Sequence, residues 1–432
     1  MNSLPVTVTA DLRDVVTALG RLSPGDDADR IDALRLLEEL KAAAAGAQAR
    51  ITVTLADSQR AAQEAAGEPD RQHGRGIAAQ VALARRESPF RGARHLGLAR
   101  ALVELPRTAA ALSRGELSEW RATLMARETA CLSREDRGVV DAELAARRGG
   151  LGSLGDRAVE QETRRIAYRL DPHAFARRAA KAEGDRRVTV RPAPDTMALV
   201  TGLLPMRQGV AVYAALTRHA DSLRSSGDER SRGQIMADTL VERVTGQATA
   251  SAVPIEVNVV MTDAALLGDD STPAQVPGFG PVPAPFARHW LSDPEAAGFA
   301  RRLYTAPSSH QLVAMDSSRR GFAGGLRAFV GLRDQICRTP WCDAPIRHID
   351  HPRRVADGGE TSAANGQGLC EACNQAKEAV GWSARGSGTS VETVTPTGHS
   401  YLSRPPPLVP PATGDRPPSR MELHFADLIL VA

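Results

Sequence analysis

The sequence predicts a mainly α protein with small β elements, an α+β chain in which a helical N-terminal domain precedes a small C-terminal module. Aromatic residues make up only 4% of the 432 residues, so the core must be built from Ala, Leu and Val, which favours packed helices over a β-sandwich. Apolar residues recur at three- and four-residue spacing through the N-terminal half. Four of the five cysteines lie between Cys337 and Cys373, which marks the C-terminal module as a separate kind of structure.

Residues 29–246 are predicted to form successive helices, as the spacing of Ile31, Leu34 and Leu37 indicates. Ser88-Pro89 offers a cap and a first-turn proline for one helix, and Leu105-Pro106 ends it. Two later helices are expected over residues 206–225 and 231–245. One β-hairpin interrupts the series, because residues 187–191 alternate and a Pro-Ala-Pro-Asp turn leads into residues 197–203.

The rest of the chain contains shorter elements. Residues 255–261 and 312–315 are predicted strands, residues 326–335 a helix and residues 387–397 a short hairpin. The Gly/Pro-rich residues 267–285 are expected to form a loop. Residues 401–420 contain seven prolines and predict an extended linker. The predicted division is an N-terminal segment (1–28), a helical domain (29–330), a compact module (331–400) and a linker with a C-terminal tail (401–432).

Charge and targeting signals narrow the class of protein. The net charge is only +3, but residues 301–354 contain ten arginines against four acidic residues, which suits a polyanionic partner as well as a solvated surface. The N-terminus lacks the apolar segment of a signal peptide, and no apolar run reaches the ~18–20 residues of a membrane span. We therefore expect a cytoplasmic protein with reduced cysteines and no membrane contact.

The cysteines form two pairs, Cys337-x4-Cys342 and Cys370-x2-Cys373, separated by 27 residues. Either spacing lets two thiolates from one turn reach the same tetrahedral ion. Four thiolates leave no vacant position for substrate. The pattern predicts a structural Zn²⁺ site that closes the loop between the pairs.

Within that loop lie Asp350-His351, then Gly358-Gly359, then Asn365, and Asn374 follows the second cysteine pair directly. In residue types and spacing this segment resembles the HNH endonuclease family. That resemblance implies a ββα fold wrapped around one catalytic metal, metal-dependent hydrolysis of DNA phosphodiester bonds, and DNA as the partner.

The resemblance also implies a role for each residue. His351 would be the general base that accepts a proton from water, since histidine is the side chain that most readily exchanges a proton near neutral pH. Asp350 and Asn374 would hold the metal, and two oxygen ligands suit Mg²⁺ or Mn²⁺. Asn365 would brace the loop and orient His351, with the two glycines forming its turn.

Three cations near these residues are candidates for nucleic-acid contacts. Arg353 and Arg354 follow the histidine, and Lys377 lies three residues after Asn374 on the same helical face, although a merely solvated lysine is an equal alternative. His348 is favoured as a plain strand residue over a DNA contact. Trp341 and Trp382 are expected to be core aromatics.

Two departures from the family pattern affect this interpretation. The family often has an apolar pair and then proline after the histidine, whereas this chain has Pro352-Arg353-Arg354. Its last ligand is Asn374, where many members have histidine. The three catalytic positions implied by the resemblance, Asp350, His351 and Asn374, are all present.

The whole chain also resembles actinobacterial proteins that join a helical domain of unknown function (DUF222, the 13E12 repeat family) to a C-terminal HNH module. The wider match is carried by residues 232–238 (RGQIMAD), 280–283 (GPVP) and 332–334 (LRD). It says nothing about what the helical domain does.

Three hypotheses remain open from the sequence. The first is an active DNA endonuclease, in which double-strand cutting would call for a homodimer. The second is a zinc-stabilised DNA-binding module that cleaves nothing. The third is a protein-interaction scaffold in which the helical domain is the working part.

Overall fold

The computed structural model describes residues 6–249, 259–262, 265–266, 270–291, 303–305, 312–315 and 322–408. Within these ranges the chain is mainly helical with small antiparallel sheets, which confirms the predicted fold class. The helices are α1 (Val6–Gly20), α2 (Asp27–Ala65), α3 (Ile77–Arg85), α4 (Pro89–Val103), α5 (Pro106–Ser113), α6 (Glu119–Thr129), α7 (Arg134–Ala145), α8 (Asp156–Leu170), α9 (Pro172–Gly184), α10 (Met206–Ser225), α11 (Arg232–Thr245), α12 (Ala284–Leu291), α13 (Phe322–Asp334) and α14 (Glu371–Lys377).

The strands are short and pair with near neighbours in the sequence. They are β1 (Arg187–Ala193), β2 (Met197–Leu203), β3 (Ala274–Val276), β4 (Gly280–Val282), β5 (Leu303–Thr305), β6 (Leu312–Met315), β7 (His348–Asp350), β8 (Gln367–Leu369), β9 (Ser383–Ser387), β10 (Ser390–Val394) and β11 (Ser400–Ser403). Of the helices that the structure describes, none is both long and apolar enough to cross a bilayer.

The chain divides into two compact units, residues 1–58 with 94–177 and residues 59–93 with 178–432. These two units do not coincide with the predicted helical domain (29–330) and compact module (331–400). The predicted domain boundaries therefore stay a prediction. The first unit is helical and has one apolar core, built almost entirely from aliphatic side chains as the scarcity of aromatic residues predicts. Its fully buried members include Leu112, Leu117, Met125, Val140, Leu144, Val159 and Ile166.

Polar groups buried in the first unit fix where its helices begin. Helix α5 starts at Pro106, and the backbone N–H groups of the next two residues donate to the buried carboxylate of Asp141 at 2.7 and 2.9 Å. The Thr108 hydroxyl donates to the same carboxylate at 2.6 Å. Because the first N–H groups of a helix have no intrahelical acceptor, Asp141 on α7 both caps α5 and joins the two helices.

In the second unit, the predicted hairpin and the two helices after it are confirmed. Strands β1 and β2 pair antiparallel, with Val190 opposite Val200. Helix α11 begins with a capping box, in which Ser231 and Gln234 satisfy each other's backbone N–H groups, and ends at Gly246 in the left-handed conformation.

The prediction of a loop over residues 267–285 is wrong in part. Strands β3 and β4 form a hairpin there, and α12 begins at Ala284. The glycines and prolines that suggested a loop instead form the tight turn, with Phe279 N–H donating to Val276 O at 2.9 Å. Of the predicted strand at 255–261, Val260 forms a bridge to Gln275, and residues 255–258 lie outside the described residues.

The hairpin predicted at 387–397 is right in kind but not in its bounds, because β10 occupies the middle of that range and pairs with β9 before it and β11 after it, in a sheet ordered β11–β10–β9. Strand β11 lies in the segment predicted to be an extended linker, so that prediction is wrong for residues 401–403. Proline begins only at Pro405, which leaves Ser400–Ser403 free to pair with Val391–Val394. Residues 409–432 lie outside the described residues.

A buried ion network at the end of α13 ties the C-terminal module together. The Asp334 carboxylate is fully buried and accepts from Arg333 at 2.7 Å, from Arg338 at 3.0 Å and from the N–H of Gly368 at 2.7 Å. Burial lowers the pKa of the Arg338 guanidinium, and the Asp334 carboxylate acts in the opposite direction. The network joins α13, the first cysteine pair and strand β8, and so positions the strand that carries part of the candidate site.

Helix α3, far upstream in the sequence, packs on this module within the second unit. Leu83 is buried against Ala379 and Trp382. Gly76, just before α3, has φ of +82°, and a Cβ there would lie 2.5 Å from Nε1 of Trp382, so only glycine allows this approach. Trp382 is a core aromatic as predicted. Trp341 is not, since it is 42% exposed and meets Tyr401 edge to face.

Candidate functional site

The four clustered cysteines meet at one point of the C-terminal module. Each is at most 7% exposed, and their Sγ atoms all lie within 4.8 Å of one another. The first pair flanks a turn closed by Cys337 N–H donating to Ala344 O at 2.9 Å. In the second pair, Cys370 caps α14 and accepts from the backbone N–H of Cys373 at 3.4 Å. Sequence spacing therefore predicts this cluster correctly.

The geometry and chemistry of the cluster fit a tetrahedral soft-metal site. A Zn–S bond of about 2.3 Å corresponds to a separation of about 3.8 Å between sulfurs, and the Sγ atoms of Cys342 and Cys370 are 3.7 Å apart. Hydrogen bonds from the other three thiols lower the pKa of Cys370, and hydrogen bonds among the same thiols raise that of Cys373. Four thiols packed this closely can bind Zn²⁺ as thiolates, and the ion would offset half of their negative charge.

Between the cysteine pairs the chain forms two antiparallel strands, β7 and β8, and α14 follows directly. The register places Asp350 opposite Gln367, and the Gln367 amide donates to Asp350 Oδ2 at 2.9 Å. Because directly opposed residues share a face of the ladder, this pair fixes the Asp350 carboxylate on the side of α14. The order of elements is the ββα arrangement that the sequence predicts.

The other carboxylate oxygen of Asp350 is paired with Lys377. Lys377 Nζ lies 2.9 Å from Asp350 Oδ1, 3.1 Å from the carbonyl oxygen of His351 and 3.2 Å from Glu378 Oε1. The Lys377 side chain is only 8% exposed, so it is not the solvated lysine considered as an alternative. A phosphate contact by Lys377 would require this ion pair to open.

The His351 imidazole lies on the loop side of the strand end. Its Nε2 is 3.0 Å from the hydroxyl of Thr361, while Nδ1 has no hydrogen-bond partner among the described residues. When Nε2 donates to Thr361, Nδ1 carries the lone pair and can accept a proton. In this tautomer Nδ1 is the ring nitrogen that can act as a base, while Thr361 holds the other nitrogen.

Asn365 braces the loop between β7 and β8. Its Oδ1 accepts from Arg353 N–H at 3.0 Å, and its Nδ2 donates to the carbonyl oxygens of Arg353 and Glu360 at 2.9 and 2.8 Å. Gly359 packs so closely against the Arg353 carbonyl and the Asn365 amide that a Cβ at this position would overlap both. The Asn365 hydrogen bonds hold the backbone at Glu360, next to Thr361. Thr361 in turn contacts the ring of His351.

Asn374 lies in the middle of α14, one turn before Lys377 and so on the same face. Since Lys377 contacts Asp350, this face of the helix points to the end of β7. The Asn374 amide is half-buried and makes no hydrogen bond to another described residue, which leaves its oxygen available to a ligand.

The remaining predicted residues lie around this centre. Arg353 is exposed and its Nε donates to Asp357 O at 3.0 Å. Arg354 lies 3.6 Å from Glu378 and is 44% exposed. His348 on β7 is also exposed. The structure brings Asp350, His351 and Asn365 together on the β7–β8 unit and places both arginines at its edge.

Sequence reasoning missed Thr361, Gln367 and the segment of residues 59–93 that packs on the module. Gln367 could have been found, because two strands joined across a predicted turn must place some residue opposite Asp350. Thr361 carries no pattern signal, since its role depends on the path of the loop. The upstream segment is distant in sequence and its polar residues have no motif.

Comparison with protein families gives two adjoining matches. The model described as "Domain of unknown function (DUF222)" matches residues 34–334, and the model described as "HNH endonuclease" matches residues 335–379. The two matches reproduce the order of domains that the sequence resemblance implies. Searches of the curated proteins and of the solved structures return no match.

Proposed function

The chain belongs to the DUF222 family, because that family's model covers more than half of its length, and we propose that its HNH domain makes it a metal-dependent endonuclease that hydrolyses DNA phosphodiester bonds. The observation that carries the proposal is the ββα unit itself. In it Asp350 on β7 contacts Lys377 of α14, one turn from Asn374, His351 follows Asp350 directly, and a cysteine cluster that fits zinc belongs to the same module.

The residues fit a hard divalent cation such as Mg²⁺ or Mn²⁺. Asp350 supplies a carboxylate and Asn374 an amide oxygen, which are the ligand types these ions prefer, and few protein ligands leave room for a phosphate oxygen. Such an ion would stabilise the negative charge that develops on the leaving oxygen. Lys377 would have to release Asp350 Oδ1 before that oxygen could bind the metal ion. The lysine and the metal ion would therefore compete for the same carboxylate oxygen.

His351 performs the proton transfer in this proposal. With Nε2 donating to Thr361, Nδ1 takes a proton from a water molecule as the water oxygen forms a bond to phosphorus. The bond from phosphorus to the leaving sugar oxygen breaks, and that oxygen leaves with the electron pair. Thr361 acts through His351 by holding the ring in one tautomer and one orientation.

One observation favours the second candidate, a DNA-binding module without catalysis. Both oxygens of Asp350 already have partners, Lys377 and Gln367. If Lys377 is a permanent substitute for the metal, the fold keeps its shape and its basic edge but does not hydrolyse DNA.

Conversion of supercoiled plasmid by the purified full-length chain tests the proposal. We expect cleavage with Mg²⁺ or Mn²⁺ and none with EDTA. Asn374→Ala should raise the Mn²⁺ concentration needed for half-maximal cleavage by at least tenfold, since it removes one of two protein ligands. Asp343→Ala, at an exposed carboxylate of the same module outside β7, β8 and α14, is the matched control and should change it little. Cleavage that persists in EDTA, or a plasmid that stays bound and intact with either metal, would contradict the proposal.

A further inference from the structure

A basic cavity lies beside the candidate site, on the upstream segment that packs against α14. It has a volume of about 600 Å³ and is lined by Arg71, Gln72, His73, Gly74, Arg75 and Gln375. All six residues belong to the second compact unit. Five of them fall within the DUF222 match and the sixth within the HNH match, so the cavity is shared by the two matched regions.

The cavity is attached to the helix that carries Asn374. Arg75 Nε donates to the carbonyl oxygen of Gln375 at 2.9 Å, and Gln375 is the next residue after Asn374. This contact places the Arg75 side chain against α14, one residue along the helix from Asn374, the proposed metal ligand. A duplex that covers both this face of α14 and the neighbouring face with Asn374 can contact Arg75 as well as the site.

Hydrogen bonds hold residues 73–75, which line the cavity, in place. Gln63, 6% exposed, donates to Arg75 O at 3.0 Å and accepts from the N–H of Gly74 at 2.6 Å. His73 Nε2 lies 2.8 Å from Glu68 O. Because the backbone of residues 73–75 is held in this way, less backbone entropy is lost when a ligand binds this segment.

The residues that line the cavity include two arginines and no carboxylate. Arg71 is exposed and has no ion-pair or hydrogen-bond partner among the described residues. Arg60 approaches from α2, since its Nε lies 3.3 Å from where a Cβ on Gly74 would be. Carboxylates near the cavity include those of Asp70, fully exposed and 3.9 Å from His73 Nδ1, Glu371, which accepts from Gln375, and Glu68, whose carbonyl oxygen contacts His73. None of these three forms an ion pair with Arg71.

We infer that this cavity, formed by residues 71–75 and Gln375, is a second nucleic-acid contact surface, at which the DUF222 region binds backbone phosphates of the DNA that the HNH domain cleaves. The inference rests on the proposed function. Arginine suits phosphate through its planar set of donors, and a surface of this kind gives affinity without sequence preference. It also assigns a task to part of the helical family region, which is to supply substrate affinity beside the catalytic unit.

The salt dependence of DNA binding tests the inference. The probe is a fluorescein-labelled 30-base-pair duplex, and the protein is the full-length zinc-loaded chain carrying His351→Ala, so that binding is measured without cleavage. Each phosphate contact contributes about 0.9 to the slope of log affinity against log salt. We expect added Arg71→Ser to lower the slope by about that amount, and added Arg71→Lys to restore most of it.

Arg218→Ser is the matched control, because Arg218 is an exposed arginine on α10 that is also unpaired among the described residues and does not line the cavity. Its slope should equal that of the parent. Equal slopes for Arg71→Ser and Arg218→Ser would overturn the inference while leaving the proposed function intact, provided that the wild type cleaves plasmid. If the parent does not bind the duplex even at 50 mM salt and the wild type cleaves no plasmid, the inference and the proposed function are both contradicted.

Discussion

Replacing Cys373 with serine should abolish zinc binding and unfold the C-terminal module. Among the described residues, the apolar cluster around the four cysteines contains only Leu369 and Ala344 besides the cysteines themselves, so the part of the module next to the cysteines has little apolar core of its own. Structural zinc contributes roughly 10–16 kcal/mol to folding of small modules of this kind. A serine hydroxyl does not replace a thiolate ligand at neutral pH, and most of that free energy should be lost.

This effect is measured by zinc content and by the fluorescence of Trp382, in a background in which Trp120, Trp290 and Trp341 are replaced by phenylalanine. We expect one Zn²⁺ per wild-type chain, and a fluorescence change on chelation because Trp382 is buried in the module. Cys131→Ser is the control, since Cys131 lies outside the cluster and is half-buried. A Cys373→Ser protein with full zinc content and an unchanged unfolding transition would show that the four thiols are not a metal site.

Asp334→Ala should destabilise the same module by about 3–5 kcal/mol, because it leaves two buried guanidinium groups without their counter-ion. Arg333 and Arg338 have side chains that are 3% and 2% exposed, so water cannot replace the lost carboxylate. The backbone N–H of Gly368 also loses its acceptor, which weakens the position of β8.

Urea unfolding followed by Trp382 fluorescence is the measurement for this variant. Asp343→Ala removes an exposed carboxylate from the same module and should change the unfolding free energy by less than about 0.5 kcal/mol. A loss of less than about 1 kcal/mol in Asp334→Ala would mean that the arginines find other partners, and that the network does not hold β8 in place.

Local pattern was enough to predict the parts of the molecule that depend on near neighbours. The cysteine pairs lie within single turns, so their spacing alone predicts convergence on one ion. The hairpin of residues 187–203 was likewise visible, because alternation and turn chemistry are local. Asp350, His351 and Asn365 fall in one short β–loop–β segment, which is why their resemblance to a known motif could place them together.

What depends on distant contacts was not predictable. The pairing of Lys377 with Asp350 depends on how α14 crosses β7, and the sequence left Lys377 equally consistent with solvent. The docking of α3 on Trp382 joins residues about 300 positions apart in the chain, and its requirement for Gly76 follows from a single close approach. Strand β11 is not predicted because the seven prolines in residues 401–420 make the whole segment resemble an extended linker. The four residues of the strand are too few to change that composition.

The most direct test of the nuclease is the cleavage rate of His351→Ala beside that of His348→Ala. Supercoiled plasmid is incubated with an excess of each zinc-loaded protein and Mn²⁺, and DNA binding is measured in parallel. A general base contributes roughly 10²–10⁴-fold to rate, so we expect His351→Ala to lose that much while binding plasmid as tightly as the wild type. His348→Ala, an exposed histidine on the same strand, should retain the wild-type rate. Cleavage by His351→Ala at close to the wild-type rate would contradict the proposed role of His351.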